Sequence, residues 1–371
     1  MKKMNVAVIG CGRISYKGID AILSNKEELQ LAATCDPIEE KAVAKKNQYI
    51  EGLQEKAEVN VYKDYKDMLE KEEIDLVYIA TESGYHPAIA MDCMNKGKHV
   101  IVEKPMALSI KDADDMIACA KKNNVKLCVS HQNRFNAAIQ KLRKEVEADR
   151  FGRMVNGTAR ILWNRNRGYY EQAPWRGTYE LDGGTLMNQC IHNIDLLQWM
   201  MCSEVDSVYA QCDTFLRGID AEDFGAIIIR FKNGAIGIVE GSACVYPKNL
   251  EETLSVFGEK ATVCIGGLAV NKIETWRVEG SEETEEEVLA EQEGDPDSVY
   301  GFGHSLLFKD VIDAIKNDRA PLVCGEEAKK PLEIILAAYK SSATGMLVKF
   351  PLEDFSTMDM KVLMADKKRN I

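Results

Sequence analysis

The sequence predicts an α/β protein of two domains. The first is a doubly wound parallel sheet; the second is an α/β domain with a largely antiparallel or mixed open sheet. Three observations carry this reading. In the first third, short apolar runs alternate with amphipathic stretches. After about Ser130 the runs lengthen and alternate in polarity. Asn233-Gly234, the dipeptide that a type I′ hairpin prefers, separates two of the later runs. At roughly 100–200 residues per domain, 371 residues suit two domains, divided as 1–130 and 131–371.

Strands are expected at residues 5–9, 30–35, 75–80, 98–102 and 126–130. Helices are expected between and after them, at 13–24, 38–49, 65–70, 87–95 and 110–123. The strands are short and almost wholly apolar, which suits burial on both faces of a parallel sheet. A helix at 136–148 then leads to longer runs at 157–163, 207–215, 226–231, 235–241 and 262–265. Further helices are expected at 186–201, 304–316 and 327–342. Residues 279–297 are dense in Glu and Asp and read as a solvated edge strand and loop.

Composition narrows the function. Lys and Arg number 47 against 59 Asp and Glu, a formal net charge of −12. Phosphate neutralisation needs a basic surface, so a nucleic-acid partner is not expected. An anionic membrane surface is disfavoured for the same reason. No apolar run nears the roughly 18 residues that span a bilayer. The opening residues hold an apolar stretch too short for a secretory signal. Eleven cysteines without a C-x-x-C pattern read as free thiols in a reducing cytoplasm.

Gly10-Cys11-Gly12-Arg13-Ile14-Ser15 follows a strand and opens a helix. Gly10 allows a tight turn, Gly12 lets backbone approach a pyrophosphate, and small Ser15 lets helix and strand pack closely. The helix N-terminus offers free N–H donors to phosphate. Asp36 ends the second strand, 21 residues after Ser15, where a carboxylate is expected on the adenosine ribose hydroxyls. Its charge repels a 2′-phosphate, so NAD is expected rather than NADP. Thr81 and His86 lie just past the strand at 75–80, and Glu103, Lys104 and Pro105 just past the strand at 98–102. Ligands in open α/β sheets bind beyond the carboxyl ends of strands. These residues are therefore expected beside the cofactor; for His86, capping of the next helix is an equal reading.

Several of these segments together resemble the Gfo/Idh/MocA oxidoreductases. They are the glycine loop, Gly97-Lys98-His99-Val100-Ile101-Val102-Glu103-Lys104-Pro105, Gln132-Asn133-Arg134-Phe135-Asn136, and Asp182-Gly183-Gly184 with His192 and Asp195. The resemblance covers nearly the whole chain. It implies a Rossmann domain, a second domain whose sheet often forms an oligomer interface (dimer or tetramer), and NAD(P)-linked chemistry on a sugar, cyclitol or related alcohol. It also implies that Lys104 and His192 sit at the reacting carbon. Trp163-Asn164-Arg165, Tyr169-Tyr170, Trp175-Arg176 and Asn188-Gln189 with His192 look closer to the UDP-N-acetyl-2-amino-2-deoxyglucuronate 3-dehydrogenase-like branch. Many relatives carry aspartate where this chain has Asn188, and Thr-Pro-Asn where it has Thr81-Glu82-Ser83.

Oxidising a secondary alcohol needs a hydride acceptor and a base. NAD supplies the first. His192 suits the second, since an ordinary imidazole exchanges protons near neutrality. Lys104 would stabilise developing alkoxide charge, or serve as the base if burial lowers its pKa. Asn188, His192 and Asp195 share a helix face by spacing, and Asp195 reads as structural. Arg160, Arg165, Arg167 and Arg176 interleave with Trp163, Tyr169, Tyr170 and Trp175. Arg165, Tyr170, Trp175, Arg176, Asn188 and His192 are the expected substrate contacts, since guanidiniums bind anions and aromatic faces stack on sugars or bases. A subunit interface or a cofactor-pyrophosphate contact is the alternative for the arginines. No Asp, Glu or His set has metal-ligand spacing, so a metal-free reaction is expected. The expected function is NAD-linked oxidation or reduction of an anionic or nucleotide-linked sugar. The alternatives are an inositol or polyol dehydrogenase, and an NAD-binding regulator without catalysis.

Overall fold

The computed structural model describes residues 2–291, 294, 301 and 303–369, in two compact units. The first comprises Met1–Ala107, Asp112–His131 and Phe302–Lys329, the second Leu108–Lys111, Gln132–Gly301 and Lys330–Ile371. The stretch expected as one continuous second domain, 131–371, is thus interrupted. The helix Gly303–Lys316 belongs to the first unit, where Phe308 meets the Tyr78 ring edge-on at 5.5 Å and Ser305 O accepts the Asn25 amide at 3.1 Å. Periodicity shows which face of a helix is apolar, not which sheet that face covers.

The first unit holds a six-stranded parallel sheet: β1 (Met4–Ile9), β2 (Leu29–Cys35), β3 (Asn60–Tyr62), β4 (Leu76–Ile79), β5 (His99–Val102) and β6 (Leu127–Val129). Their order is β3-β2-β1-β4-β5-β6, the doubly wound arrangement whose direction of winding reverses between β1 and β4. Val6–Ile9 and every residue of β4 are buried, as all-apolar central strands require. β3 escapes the sequence because it is a three-residue edge strand with no apolar run. The strands expected from sequence otherwise lie within a residue or two of those observed.

The second unit holds an eight-stranded mixed sheet: β7 (Met154–Leu162), β8 (Val205–Asp213), β9 (Phe224–Phe231), β10 (Ile236–Ser242), β11 (Glu251–Gly258), β12 (Ala261–Gly266), β13 (Lys272–Val278) and β14 (Val348–Lys349). Its order is β13-β12-β11-β7-β10-β9-β8-β14. β7 and β10 pair in parallel, the other neighbours antiparallel. β9 and β10 form the hairpin that Asn233-Gly234 predicts, with Gly234 at φ +90°. β11 and β13 are absent from the sequence reading. Glu252 stands at an inward position of β11 and breaks its apolar alternation, and a register shift between Cys264 and Ile265 interrupts the period beside β13. In the acidic stretch 279–297, Glu285–Ala290 is a helix closed by a Thr284/Glu287 capping box, not an edge strand; residues 292, 293 and 295–297 lie outside the described residues.

The helix expected at 186–201 begins with a π-helical turn, Leu186–Cys190, and continues as α-helix over Ile191–Met200. Its apolar side, including Ile194 and Leu197, is wholly buried over the sheet. One buried ion pair anchors it. Arg134 Nε donates to Asp195 Oδ2 at 2.8 Å and Nη2 to Oδ1 at 2.6 Å, with both side chains almost completely withdrawn from water. The Arg134 guanidinium also lies 4.7 Å from the centre of Trp199, and Arg143 lies 4.6 Å from it. Replacing either Arg134 or Asp195 alone by leucine should cost about 3–5 kcal/mol in denaturant unfolding, because the other charge is left buried and unpaired. Replacing both by apolar residues should recover most of the loss. Single variants as stable as the wild type would show that the pair does not hold the helix.

Candidate active site

In the first unit, the residues singled out from sequence gather at the carboxyl edge of the sheet. Gly10 follows β1 with φ +84°; a Cβ there would stand 2.6 Å from the Ala80 carbonyl carbon, so no side chain fits. A Cβ on Gly12 would meet only open space, which leaves backbone accessible to a ligand as a pyrophosphate cradle needs. Ser15 Oγ donates to Gly12 O at 2.7 Å and ties the loop to the helix Ser15–Ser24, while Arg13 is exposed and Ile14 half-buried. Asp36 closes the turn from the neighbouring strand. Its Oδ2 accepts the Cys11 N–H and its Oδ1 the Ile38 N–H, both at 2.9 Å. Each carboxylate oxygen retains a lone pair for a ribose hydroxyl. The residues present therefore fit a dinucleotide. Cys11 and Cys35 flank this turn, and burial pushes each thiol up to about 12.

Thr81 is half-buried just past β4, and Lys104 is half-buried just past β5, before a cis Lys104–Pro105 bond. The structure turns two of their expected companions inward. His86 is 1% exposed, with Nδ1 2.8 Å from Pro105 O and Nε2 3.1 Å from Thr81 O. Burial lowers its pKa, against the pull of those two carbonyls. It joins the β4 and β5 loops. Glu103 is also buried; it accepts the Tyr78 hydroxyl at 2.7 Å and lies 3.6 Å from His304 Nε2. Burial alone would raise its pKa, but His304, Tyr78 and the Lys104 charge outweigh burial and hold the carboxyl below its usual range. Both side chains support the loop that presents Lys104.

In the second unit, the structure joins most of the expected substrate contacts through one residue, Tyr169. The Arg176 guanidinium lies 4.3 Å from its ring centre and that of Arg165 5.3 Å. Arg176 Nη1 and Gln189 Nε2 donate to its hydroxyl at 2.5 and 3.2 Å. Arg165 also lies over Trp163, and Arg176 over Trp175. Gln189 continues to Asn188 Oδ1 at 3.2 Å, and the Asn188 amide donates to Asp182, whose other oxygen accepts the Gly177 N–H at 2.6 Å. His192 follows, half-buried, one turn along. Asp195 does not share its open face: it is fully buried on Arg134. Tyr170 packs edge-on against Tyr169, and its hydroxyl is buried, which raises its pKa. Arg160 and Arg167 leave the cluster. The first pairs with Glu240 and Glu251, the second with Glu171.

Sequence reading missed two buried carboxyls beside this network. Burial pushes Glu222 up to about 8, with Asp182 adding to the rise and bonds from the Leu186 N–H and Tyr339 opposing it. Burial pushes Glu252 up to about 8 as well, opposed by the Arg165 charge and the Asn193 side chain. Nothing in Asp220-Ala221-Glu222-Asp223 distinguishes its glutamate from a surface acid. Between about pH 4.5 and 8 the unfolded chain releases protons that these folded carboxyls keep. Their contribution to stability therefore falls as pH rises through that window. Glu222→Gln and Glu252→Gln should each gain in Tm relative to the wild type between pH 5 and pH 8. Equal offsets at both pH values would mean that the carboxyls ionise normally.

Comparison with known proteins agrees with the fold. An oxidoreductase family with an NAD-binding Rossmann fold, Gfo/Idh/MocA, matches residues 4–131, and its C-terminal domain matches residues 139–264. The WlbA dehydrogenase of Bordetella pertussis, solved with NADH and UDP-GlcNAcA, is 35% identical at a TM-score of 0.83, over 95% of this chain and 100% of that one. The WlbA enzyme of Chromobacterium violaceum, solved with the same ligands, is 34% identical at a TM-score of 0.85, over 95% and 97%. The myo-inositol 2-dehydrogenase of Thermotoga maritima is 28% identical over 91% of this chain and 96% of its own. With a Rossmann sheet, a glycine loop closed by Asp36 and matches of this extent, the chain belongs to the Gfo/Idh/MocA oxidoreductases and carries that family's NAD-binding domain.

Proposed function

We propose that this NAD-dependent oxidoreductase acts on a secondary alcohol of an anionic, nucleotide-linked sugar of the UDP-N-acetylglucosaminuronate class. The observation that carries this is the paired guanidiniums of Arg165 and Arg176 on Tyr169. Among the described residues neither is held in a salt bridge. Two unneutralised cations beside aromatic faces suit phosphate or carboxylate together with a ring. The WlbA likeness supports the same substrate class. The likeness to myo-inositol 2-dehydrogenase supports a second reading, a neutral cyclitol or polyol.

Bound NAD supplies the hydride acceptor. The chain supplies the rest. Asp36 and the Gly10–Gly12 backbone hold the adenosine and pyrophosphate ends. His192 takes the hydroxyl proton, and the Lys104 ammonium donates to the substrate oxygen and stabilises alkoxide character as it develops. NADH formation measured against UDP-uronic acids, UDP-hexoses, hexoses and inositols tests the reading. Anionic nucleotide sugars should turn over fastest; a faster neutral polyol would favour the second reading. His192→Gln should lower kcat by about 10²–10⁴-fold, the span of general-base catalysis, without weakening NADH binding. Asp36→Ala should narrow the preference for NADH over NADPH, and a wild type binding NADPH more tightly would overturn the role of Asp36.

We propose further that the chain forms a homo-oligomer through the outer face of its eight-stranded sheet. Tyr209, Ile228 and Ile238 lie side by side across β8, β9 and β10 and are 38%, 53% and 45% exposed. An apolar strip on an open sheet suits a second copy. Light scattering should show a dimer or tetramer, reduced to monomer by Ile228→Lys with Ile238→Lys; a monomeric wild type would contradict this. Eleven cysteines, none in a disulfide, fit a reducing compartment, and we propose a cytoplasmic protein. Among the described residues no helix is long and apolar enough to cross a membrane.

A further inference from the structure

The turn that leads into the His192 helix is gripped by a residue that has no part in the chemistry above. Glu222 lies in the loop before β9 and is 2% exposed. Its Oε1 accepts the Leu186 N–H at 2.7 Å and the Tyr339 hydroxyl at 3.0 Å. That hydroxyl accepts the Gly184 N–H at 3.2 Å, and the backbone carbonyl of Glu222 accepts the Thr185 N–H at 2.9 Å. Three successive amides are thus fixed by one glutamate and its tyrosine. They are the amides at a helix start that have no partner within the helix. The contact leaves no room for a side chain: a Cβ on Gly184 would stand 1.6 Å from Glu222 Oε2. The π-helical turn begins at once, its Asn188 N–H bonded to Gly184 O at 2.9 Å, and His192 follows.

We propose that Glu222 is a positioning residue which, with Tyr339, clamps residues 184–186 and so sets the orientation of Asn188 and His192 toward the substrate. The proposal rests on the reading of His192 as the base. Burial favours the neutral carboxyl here, against the pull of the Leu186 and Tyr339 donors. The neutral form keeps an oxygen for the Leu186 and Tyr339 donors, and it adds no second charge beside Asp182 among the rings of Tyr170, Tyr179 and Tyr339. The clamp therefore needs hydrogen-bonding shape, not charge, and glutamine should replace it.

Hydrogen exchange of the whole chain, read by mass spectrometry on peptides covering residues 182–192, tests the clamp without substrate. Glu222→Ala should speed exchange at 184–186 by about tenfold, the worth of roughly one net hydrogen bond, while Glu222→Gln stays near the wild type. In turnover, Glu222→Ala should lower kcat by about 100-fold, the cost of a catalytic group displaced by about 1 Å, with KM for NAD little changed and activity restored by Gln. Wild-type exchange in Glu222→Ala, or equal kcat in the Ala and Gln variants, would overturn the proposal. If Glu222→Ala does not fold, Tyr339→Phe removes one hydroxyl and should speed exchange at Gly184 alone; no change there would also overturn it. His192→Gln separates the two readings. An inactive His192→Gln beside a fully active Glu222→Ala refutes the clamp, whereas a fully active His192→Gln refutes the base.

Discussion

Arg134 and Asp195 meet through two charge-assisted hydrogen bonds in a place almost closed to water, and neither can move without stranding the other. That constraint fixes the helix Ile191–Met200 against the residues that open the second unit. His192 stands three residues before Asp195, so its position along the helix follows from where Asp195 is held. At the other end, Glu222 fixes residues 184–186. The π-helical turn lies between the two anchors. A helix pinned at both ends can retain such a turn, which leaves backbone geometry slightly relaxed in the segment that carries Asn188.

The first unit follows the same logic with different residues. Its exposed loop backbone is shaped by buried side chains that bond to it or to one another. Asp36 grips the Cys11 N–H, His86 spans the Pro105 and Thr81 carbonyls, and Glu103 rests on Tyr78. Both ring nitrogens of His86 face carbonyl oxygens, although a neutral imidazole has only one N–H to donate. Burial disfavours the charged ring that would satisfy both. Desolvation and hydrogen bonding therefore oppose one another at the joint between two cofactor-side loops.

Much of this was legible from sequence, because the two periods of the chain are clean. Apolar strands bounded by helices gave the parallel sheet, and Asn233-Gly234 gave the hairpin. Part of what was lost was lost at inward-pointing polar residues. Glu252 hid β11 by interrupting its alternation. Glu222 hid in a run of acids that looks like a solvated loop. The arginine-rich stretch read as four cations, but Arg160 and Arg167 are neutralised by acids far apart and near in sequence, and only the fold distinguishes them from Arg165 and Arg176. Tyr169 appeared as one aromatic among several; its place at the centre depends on residues 165, 176 and 189 meeting in space.

The charge balance of the second unit bears on what binds there. On the reading proposed for the second unit, a site for an anion must be locally positive in a chain of net charge −12, and Arg165 contributes to it. Glu252 is buried where it feels the Arg165 charge, and it would offset that charge if ionised. Burial keeps Glu252 largely protonated near neutral pH, even with Arg165 pulling the other way. The Arg165 guanidinium stacks on Trp163 and Tyr169 and donates to Asn164 O and Asn249 Oδ1. A buried acid that were ionised would form a dry ion pair and leave nothing for a ligand to neutralise. A protonated one packs beside Asn193 and, on that reading, leaves the guanidinium's charge available to an anionic substrate. On that reading the desolvated carboxyl and the arginine are two parts of one arrangement.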